Sequence, residues 1–210
     1  MQRWRRSRRS LTDHGHDEVS DEALLARARA DDPLAFRALV ERHESVVAAT
    51  AIGMLGPGAD AEDVGQETFV RFYRSMDRFR GDAALGTYLV RIAMNLSLNA
   101  LQRRKRLAGR FLIWDQDDFS RGEAAGGLAE ETPEFTDAAV AGERRRRVRA
   151  AIDALDPKHR AVVVLRMLEG YSTRETAAIL GVREGTVLSR LARAKARLKE
   201  MLKPWVDDDA

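Results

Sequence analysis

Cysteine is absent from all 210 residues. Disulfides, thiolate metal sites and a cysteine nucleophile are thereby excluded, and a cytoplasmic location is compatible with the chain. Aromatic residues make up only 6%, while Ala, Leu, Arg and Glu are abundant, a composition that favours helices. No apolar run is long enough to span a bilayer. The longest, 46–55, is broken by Thr50 and Gly53, so no stable membrane insertion is expected. The basic opening at 1–9 is not followed by a long apolar stretch and is no secretory signal. The four histidines are scattered, and His43 has no second histidine at ligand spacing; neither a metal nor any other cofactor is expected. There is no glycine-rich phosphate loop, and the carboxylates sit at helix starts and in one acidic stretch, so nothing points to an enzyme.

What the chain does have is clustered charge. The net charge of +3 is modest, but the basic residues come in groups, which is what matters for a polyanionic partner. The periodicity predicts an all-α protein of two small helical domains. Residues 1–19 read as a disordered basic tail. A first domain, 20–106, opens at Ser20 with acidic residues in the first turn. Asp32-Pro33 starts a second helix with Phe36, Leu39, Val40, Val47 and Ala51 on its apolar side. The run Asp60 to Asp63 is expected to cap a third, with Val64, Phe69, Phe72, Tyr73 and Met76 as core. Asp63, Gln66, Glu67 and Arg71 fall towards its other side, and Gln66 and Glu67 carry the polar surface beyond what helix-dipole stabilisation needs.

Phe79 to Gly86 reads as a loop, and Thr87 is expected to cap a fourth helix. On that helix Arg91, Asn95 and Asn99 follow four apart and share a face. Asparagine disfavours helix interiors, so the pair needs a reason. Both could be buried and hydrogen-bonded, or both could read bases, since a primary amide donates and accepts together. The helix runs into Arg103-Arg104-Lys105-Arg106, a phosphate-binding candidate. Residues 107–140 lose the period, gain glycines and turn acidic around one apolar island, 111–114; they read as a flexible interdomain linker. A second domain, 141–204, begins with a helix that carries Arg144 to Arg147 at its start and Val148, Ile152 and Leu155 on its apolar spacing. Residues 205–210 are an acidic tail.

The most informative stretch is 170–197. Ser172 or Thr173 can cap a short helix, Gly181 is placed to end it, and Val182 and Val187 can fill a corner. A second helix follows through Val187, Leu191, Ala194 and Leu198, with Ser189, Arg190, Arg193 and Arg197 on its polar side. This is a helix-turn-helix pattern, or else a helical hairpin with a basic solvated face.

Five stretches together resemble the extracytoplasmic-function group of bacterial sigma-70-type RNA polymerase sigma factors: Asp60-Ala-Glu-Asp-Val-Gly-Gln-Glu-Thr-Phe69, Asp77-Arg-Phe-Arg-Gly-Asp82, Thr87-Tyr-Leu-Val-Arg-Ile-Ala-Met-Asn95, Leu155-Asp-Pro-Lys-His-Arg160 and Gly185-Thr-Val-Leu-Ser-Arg190. They occur in the family's order. The resemblance implies that the first domain binds core RNA polymerase through Asp63, Gln66 and Glu67. It also implies that this domain reads and melts the −10 promoter element through Phe79, Arg80, Tyr88, Arg91, Asn95, Asn99, Arg103 and Arg104. The second domain would read the −35 element through Thr186, Ser189, Arg190, Arg193 and Arg197. Promoter DNA, core polymerase and an anti-sigma factor are the implied partners. Tyr88 stands where the family usually has tryptophan, and Leu188 where it commonly has a basic residue. The alternative is a stand-alone helix-turn-helix regulator, for which 141–204 would suffice.

Overall fold

A computed structural model of the chain describes residues 19–81, 83–114 and 137–206. The described residues form eight α-helices and no strand: α1 Asp21–Arg29, α2 Pro33–Leu55, α3 Ala59–Ser75, α4 Leu85–Trp114, α5 Asp137–Asp153, α6 Pro157–Val163, α7 Thr173–Leu180 and α8 Glu184–Val206. A 3-10 turn, Met76–Arg78, follows α3, and a π-helical turn, Val164–Leu168, follows α6. The fold divides into a small unit ending at Glu41 and a larger one beginning at Arg42. The expected linker, 107–140, contains the end of α4 and the start of α5; its middle, 115–136, and the tails 1–18 and 207–210 lie outside the described residues.

In the small unit Ser20 caps α1 by accepting a hydrogen bond from the Ala23 amide at 3.2 Å. Leu24, Leu25 and Ala28 are its buried residues. The α2 start is capped by Asp32, whose Oδ1 accepts from the amides of Leu34 and Ala35, with Pro33 in the first helical position. The other carboxylate oxygen accepts from Arg27 Nε at 2.9 Å, and this bond, helped by the cap amides, holds the Asp32 carboxyl below its ordinary pKa.

In the larger unit α3 packs against α4. Val64, Thr68, Phe72 and Met76 are buried on one side, and Leu85, Leu89, Val90, Ala93, Met94 and Ser97 on the other. Thr50, Thr68 and Ser97 are wholly buried hydroxyls, and each donates to the carbonyl four residues back, at 2.8, 2.7 and 2.8 Å. A polar side chain is tolerated in an apolar core on that condition. The helices from α5 onward build two clusters. Ile152, Leu155, Val163 and Ala194 form one, and Val162, Ala177 and Val187 the other. The two parts meet where α4 packs on α6 and α7. Close by, Gly53 of α2 faces Val164: a Cβ on Gly53 would lie 2.7 Å from Val164 Cγ1.

Several boundaries differ from the sequence expectations. α3 starts at Ala59 on Gly58, whose φ of 131° only glycine takes easily, and no side chain caps it; Asp60 is engaged elsewhere. α4 starts at Leu85, so Thr87 lies inside the first turn. α5 begins at Asp137, which puts Arg144 to Arg147 in the middle of a helix and removes the dipole conflict expected at its start. Pro204 does not end α8, which runs on to Val206. Tyr73 and Val148, both expected in the core, are exposed; Thr68 and Ala151 take the buried positions.

Gly53→Ala is expected to cost about 1–3 kcal/mol in urea unfolding, because wholly buried, β-branched Val164 has no room to yield. The double variant G53A/V164A is expected to be more stable than the two single losses added together.

Candidate interaction surfaces

The polar side of α3 and the flank of α4 enclose a groove of about 400 Å³, lined by Asp60, Asp63, Glu67, Arg71, Asn99 and Arg103 above an apolar floor of Val64, Leu96 and Ala100. Asp63 and Gln66 are exposed, and Glu67 is half-buried. Glu67 accepts from Arg71 Nε at 2.8 Å, a pair whose four-residue spacing is legible in the sequence. Asp60 holds Arg104, whose Nε donates at 2.7 Å, and Arg104 Nη1 also reaches the Leu55 carbonyl at 3.5 Å. Two of three carboxylates are thus paired within the molecule, which leaves Asp63 as the carboxylate on this surface with no ion-pair partner among the described residues. Asp60, expected as part of a cap, and Arg71, expected only on the polar side of α3, were not among the candidate contact residues. The Asp60–Arg104 pair joins positions 44 apart, a distance no local pattern encodes.

Arg91, Asn95 and Asn99 share one side of α4, as their spacing requires, and all three are exposed. The structure settles one alternative: neither asparagine is a buried, satisfied polar group, and among the described residues neither amide has a hydrogen bond to protein. The row does not all face one way functionally, because Asn99 and Arg103 line the acidic groove. Tyr88 is half-buried between two other rings, 5.0 Å from Phe79 and 6.3 Å edge-on from Phe72, with its hydroxyl 3.3 Å from Ser75 Oγ. It therefore shapes the base of the Phe79 loop. Arg80 is exposed.

The helix-turn-helix is built as its residues imply. Ser172 Oγ accepts from the Glu175 amide at 3.1 Å, and Glu175 accepts from the Ser172 amide at 2.7 Å, a full capping box on α7. Gly181 ends α7 in the left-handed conformation, φ 62° and ψ 37°. Val187 is wholly buried at the corner, with Val182 and Leu191 packed around it. On α8 Ser189 and Arg193 are exposed, and Thr186 and Arg190 are half-buried. Ser189 Oγ donates to the Thr186 carbonyl at 3.1 Å, and Arg197 is paired with Glu200 at 3.2 Å. Arg190 and Arg193 have no such partner among the described residues.

Elsewhere Glu143 ties down Arg146 and Arg147, and those two hydrogen bonds hold its carboxyl below the ordinary value. The Arg147 guanidinium also lies 4.0 Å above the Trp205 ring. Among the described residues no cluster of His, Asp or Glu could hold a metal ion, and no helix is long and apolar enough to cross a membrane.

Residues 39–107 match the family profile "Sigma-70 region 2", and residues 145–198 match "Sigma-70, region 4". The ECF RNA polymerase sigma-E factor of Salmonella typhimurium is 33% identical over 192 residues, covering 90% of this chain and 98% of its own length. Among solved structures, CnrH in complex with the cytosolic domain of CnrY is 29% identical. It matches over 88% of this chain and 97% of its own, with a TM-score of 0.60. The sigma factor RpoE of Bartonella quintana, in complex with the anti-sigma factor NepR, shares the fold at 24% identity and a TM-score of 0.55, over 80% of this chain and 96% of its own.

Gly181→Ala is expected to destabilise the protein by about 1–2 kcal/mol in thermal or urea unfolding, because a Cβ disfavours the left-handed region. No neighbouring atom lies within 4 Å of that Cβ, so backbone strain alone sets the loss.

Proposed function

The chain belongs to the extracytoplasmic-function group of sigma-70 RNA polymerase sigma factors, and on that footing we propose how its parts divide the work of promoter-specific transcription initiation. Residues 20–106 bind core polymerase and trap the melted −10 element; residues 141–204 dock on the −35 element. The chain catalyses nothing itself and works in the cytoplasm, where the polymerase is. The observation that carries the reading is the presence of both family regions, in order, on one chain.

Asp63, Gln66 and Glu67 are the polymerase contacts. They line or border the acidic groove, which suits a partner helix bearing basic side chains. The −10 surface is the Phe79 loop with Arg80, Tyr88, Arg91, Asn95, Asn99, Arg103 and Arg104. Extruding a base costs a few kcal/mol, and free amides and a ring-lined loop are what would hold it. Asn95 is the strongest member, being exposed and without a partner among the described residues; DNA would have to compete with Asp60 for Arg104. Thr186, Ser189, Arg190, Arg193 and Arg197 form the −35 surface on α8 in the major groove. An anti-sigma factor is the antagonist expected for this protein, a reading supported by Bartonella quintana RpoE, which shares the fold and is bound to the anti-sigma factor NepR.

Mixed with core polymerase, the protein is expected to support transcription from selected promoters only; DNA binding with no polymerase association would favour the stand-alone regulator. Asp63→Arg is expected to weaken core binding at least tenfold in a competition assay while unfolding midpoints stay unchanged, since the side chain is exposed. Asn95→Ala is expected to reduce promoter opening, read by permanganate reactivity, more than initial duplex binding. Equal loss of both would give Asn95 a structural role instead.

A further inference from the structure

The outward side of α8 carries an apolar residue where charge would be expected. Leu188 is 55% exposed, whereas its neighbour Val187 is wholly buried. At about 100° per residue, Leu188 and Ala192 project side by side, one turn apart, with Ser189 and Gly185 next to them and all four exposed. Gly185 is held there by neither packing nor conformation: its φ is not positive, and no atom lies within 4 Å of the Cβ it lacks. The effect is a low surface over which a partner can approach the helix closely, with Leu188 its one large side chain. Arg193 lies on the far edge of that strip and Arg190 beyond it, both without an ion-pair partner among the described residues. A cationic flank beside an apolar strip fits the duplex major groove, where phosphates line the walls and one apolar group, the thymine C5-methyl, projects from the floor.

We propose that Leu188, with Ala192 beside it, reads thymine methyl groups in the −35 element; this rests on the assignment of α8 as the −35 reader. Leucine offers no donor or acceptor, so it gains nothing from guanine O6 and N7 or from phosphate. Pressed against any other base edge, it strips water from polar atoms and returns no hydrogen bond. Discrimination at that base pair therefore comes from methyl contact and from the penalty on the alternatives. Ser189 does not replace the missing polar contact through its proton, which is already donated to the Thr186 carbonyl. Specificity carried by hydrogen bonds falls instead to Arg190 and Arg193 at neighbouring positions.

The test uses the full chain assembled with core RNA polymerase. Promoter duplexes are enriched from a random library, and the best sequence is remade with deoxyuridine in place of each −35 thymidine in turn, which deletes only the methyl group. At one or two positions the wild-type holoenzyme is expected to bind the uracil duplex about fourfold more weakly, the factor associated with one buried apolar carbon. L188A should bind thymine and uracil duplexes equally, at about the wild type's uracil affinity. L188K should shift the enriched base from thymine towards guanine and steepen the slope of log affinity against log salt by about one. A wild-type protein indifferent to uracil, or an L188A protein that keeps the full uracil loss, would overturn methyl reading while leaving the sigma-factor assignment in place. Failure to form a holoenzyme, or to enrich any duplex, would remove that assignment and the inference with it.

Discussion

A buried guanidinium holds the larger unit together. Arg160 is almost wholly enclosed, and burial pushes its pKa below the ordinary arginine value, a sign of how unfavourable a charge is at that position. It is tolerated because carbonyl oxygens surround it. Nη1 donates to Met54 at the end of α2 at 2.6 Å, Nη2 donates to Asp153 and approaches Leu155 at 3.5 Å, and the Asp153 carboxylate lies 3.4 Å away. One side chain thus closes the α5–α6 corner and fastens it to α2. Among the described residues Nε alone finds no protein partner. Remove the guanidinium and three carbonyls, two at helix ends and one in the α5–α6 connection, lose a donor together, in a place where water cannot easily replace it.

Set against that junction, the two interaction surfaces rest on different physics. The α3–α4 groove is a product of packing: its walls are exposed and half-buried polar residues standing on an apolar floor, and its charge is partly cancelled from within by Arg71 and Arg104. The α7–α8 corner is a product of local backbone chemistry, with a capping box at one end and a left-handed glycine at the other. The first can present a carboxylate to a protein partner; the second can present a helix to DNA. A factor that must engage a polymerase and a promoter at the same time requires both.

The sequence revealed the parts governed by local rules. Ser20, Asp32-Pro33, Ser172 with Glu175, and Gly181 all do what their residue types imply. That Arg91, Asn95 and Asn99 share one face followed from four-residue spacing; that the face is exposed did not. What escaped depends on residues far apart in the chain. Asp60 looked like a cap but reaches Arg104, and a glycine with φ 131° starts α3 in its place. Tyr88 stands where relatives usually have tryptophan, and nothing local shows that Phe72, Phe79 and Ser75 pin it. Arg160 belonged to a recognisable motif, yet nothing in that motif announces a bond to a carbonyl 106 residues earlier.

The π-helical turn at Val164–Leu168 sets the length of the segment before the DNA-reading helices. Its wider loop is closed by the Glu169 amide on the Val164 carbonyl at 2.8 Å, and the Tyr171 amide returns to Leu165 at 2.9 Å across Gly170, φ 71°. Such a turn holds one residue more than the α-helical path it replaces. Losing that residue would tighten the turn and swing everything after it by about 100° around the α6 axis, carrying Arg190 and Arg193 off their bearing while every cap and core contact inside α7 and α8 survived. Insertions and deletions in 164–170 should therefore be far scarcer among working variants than substitutions at its exposed positions, Met167 and Leu168.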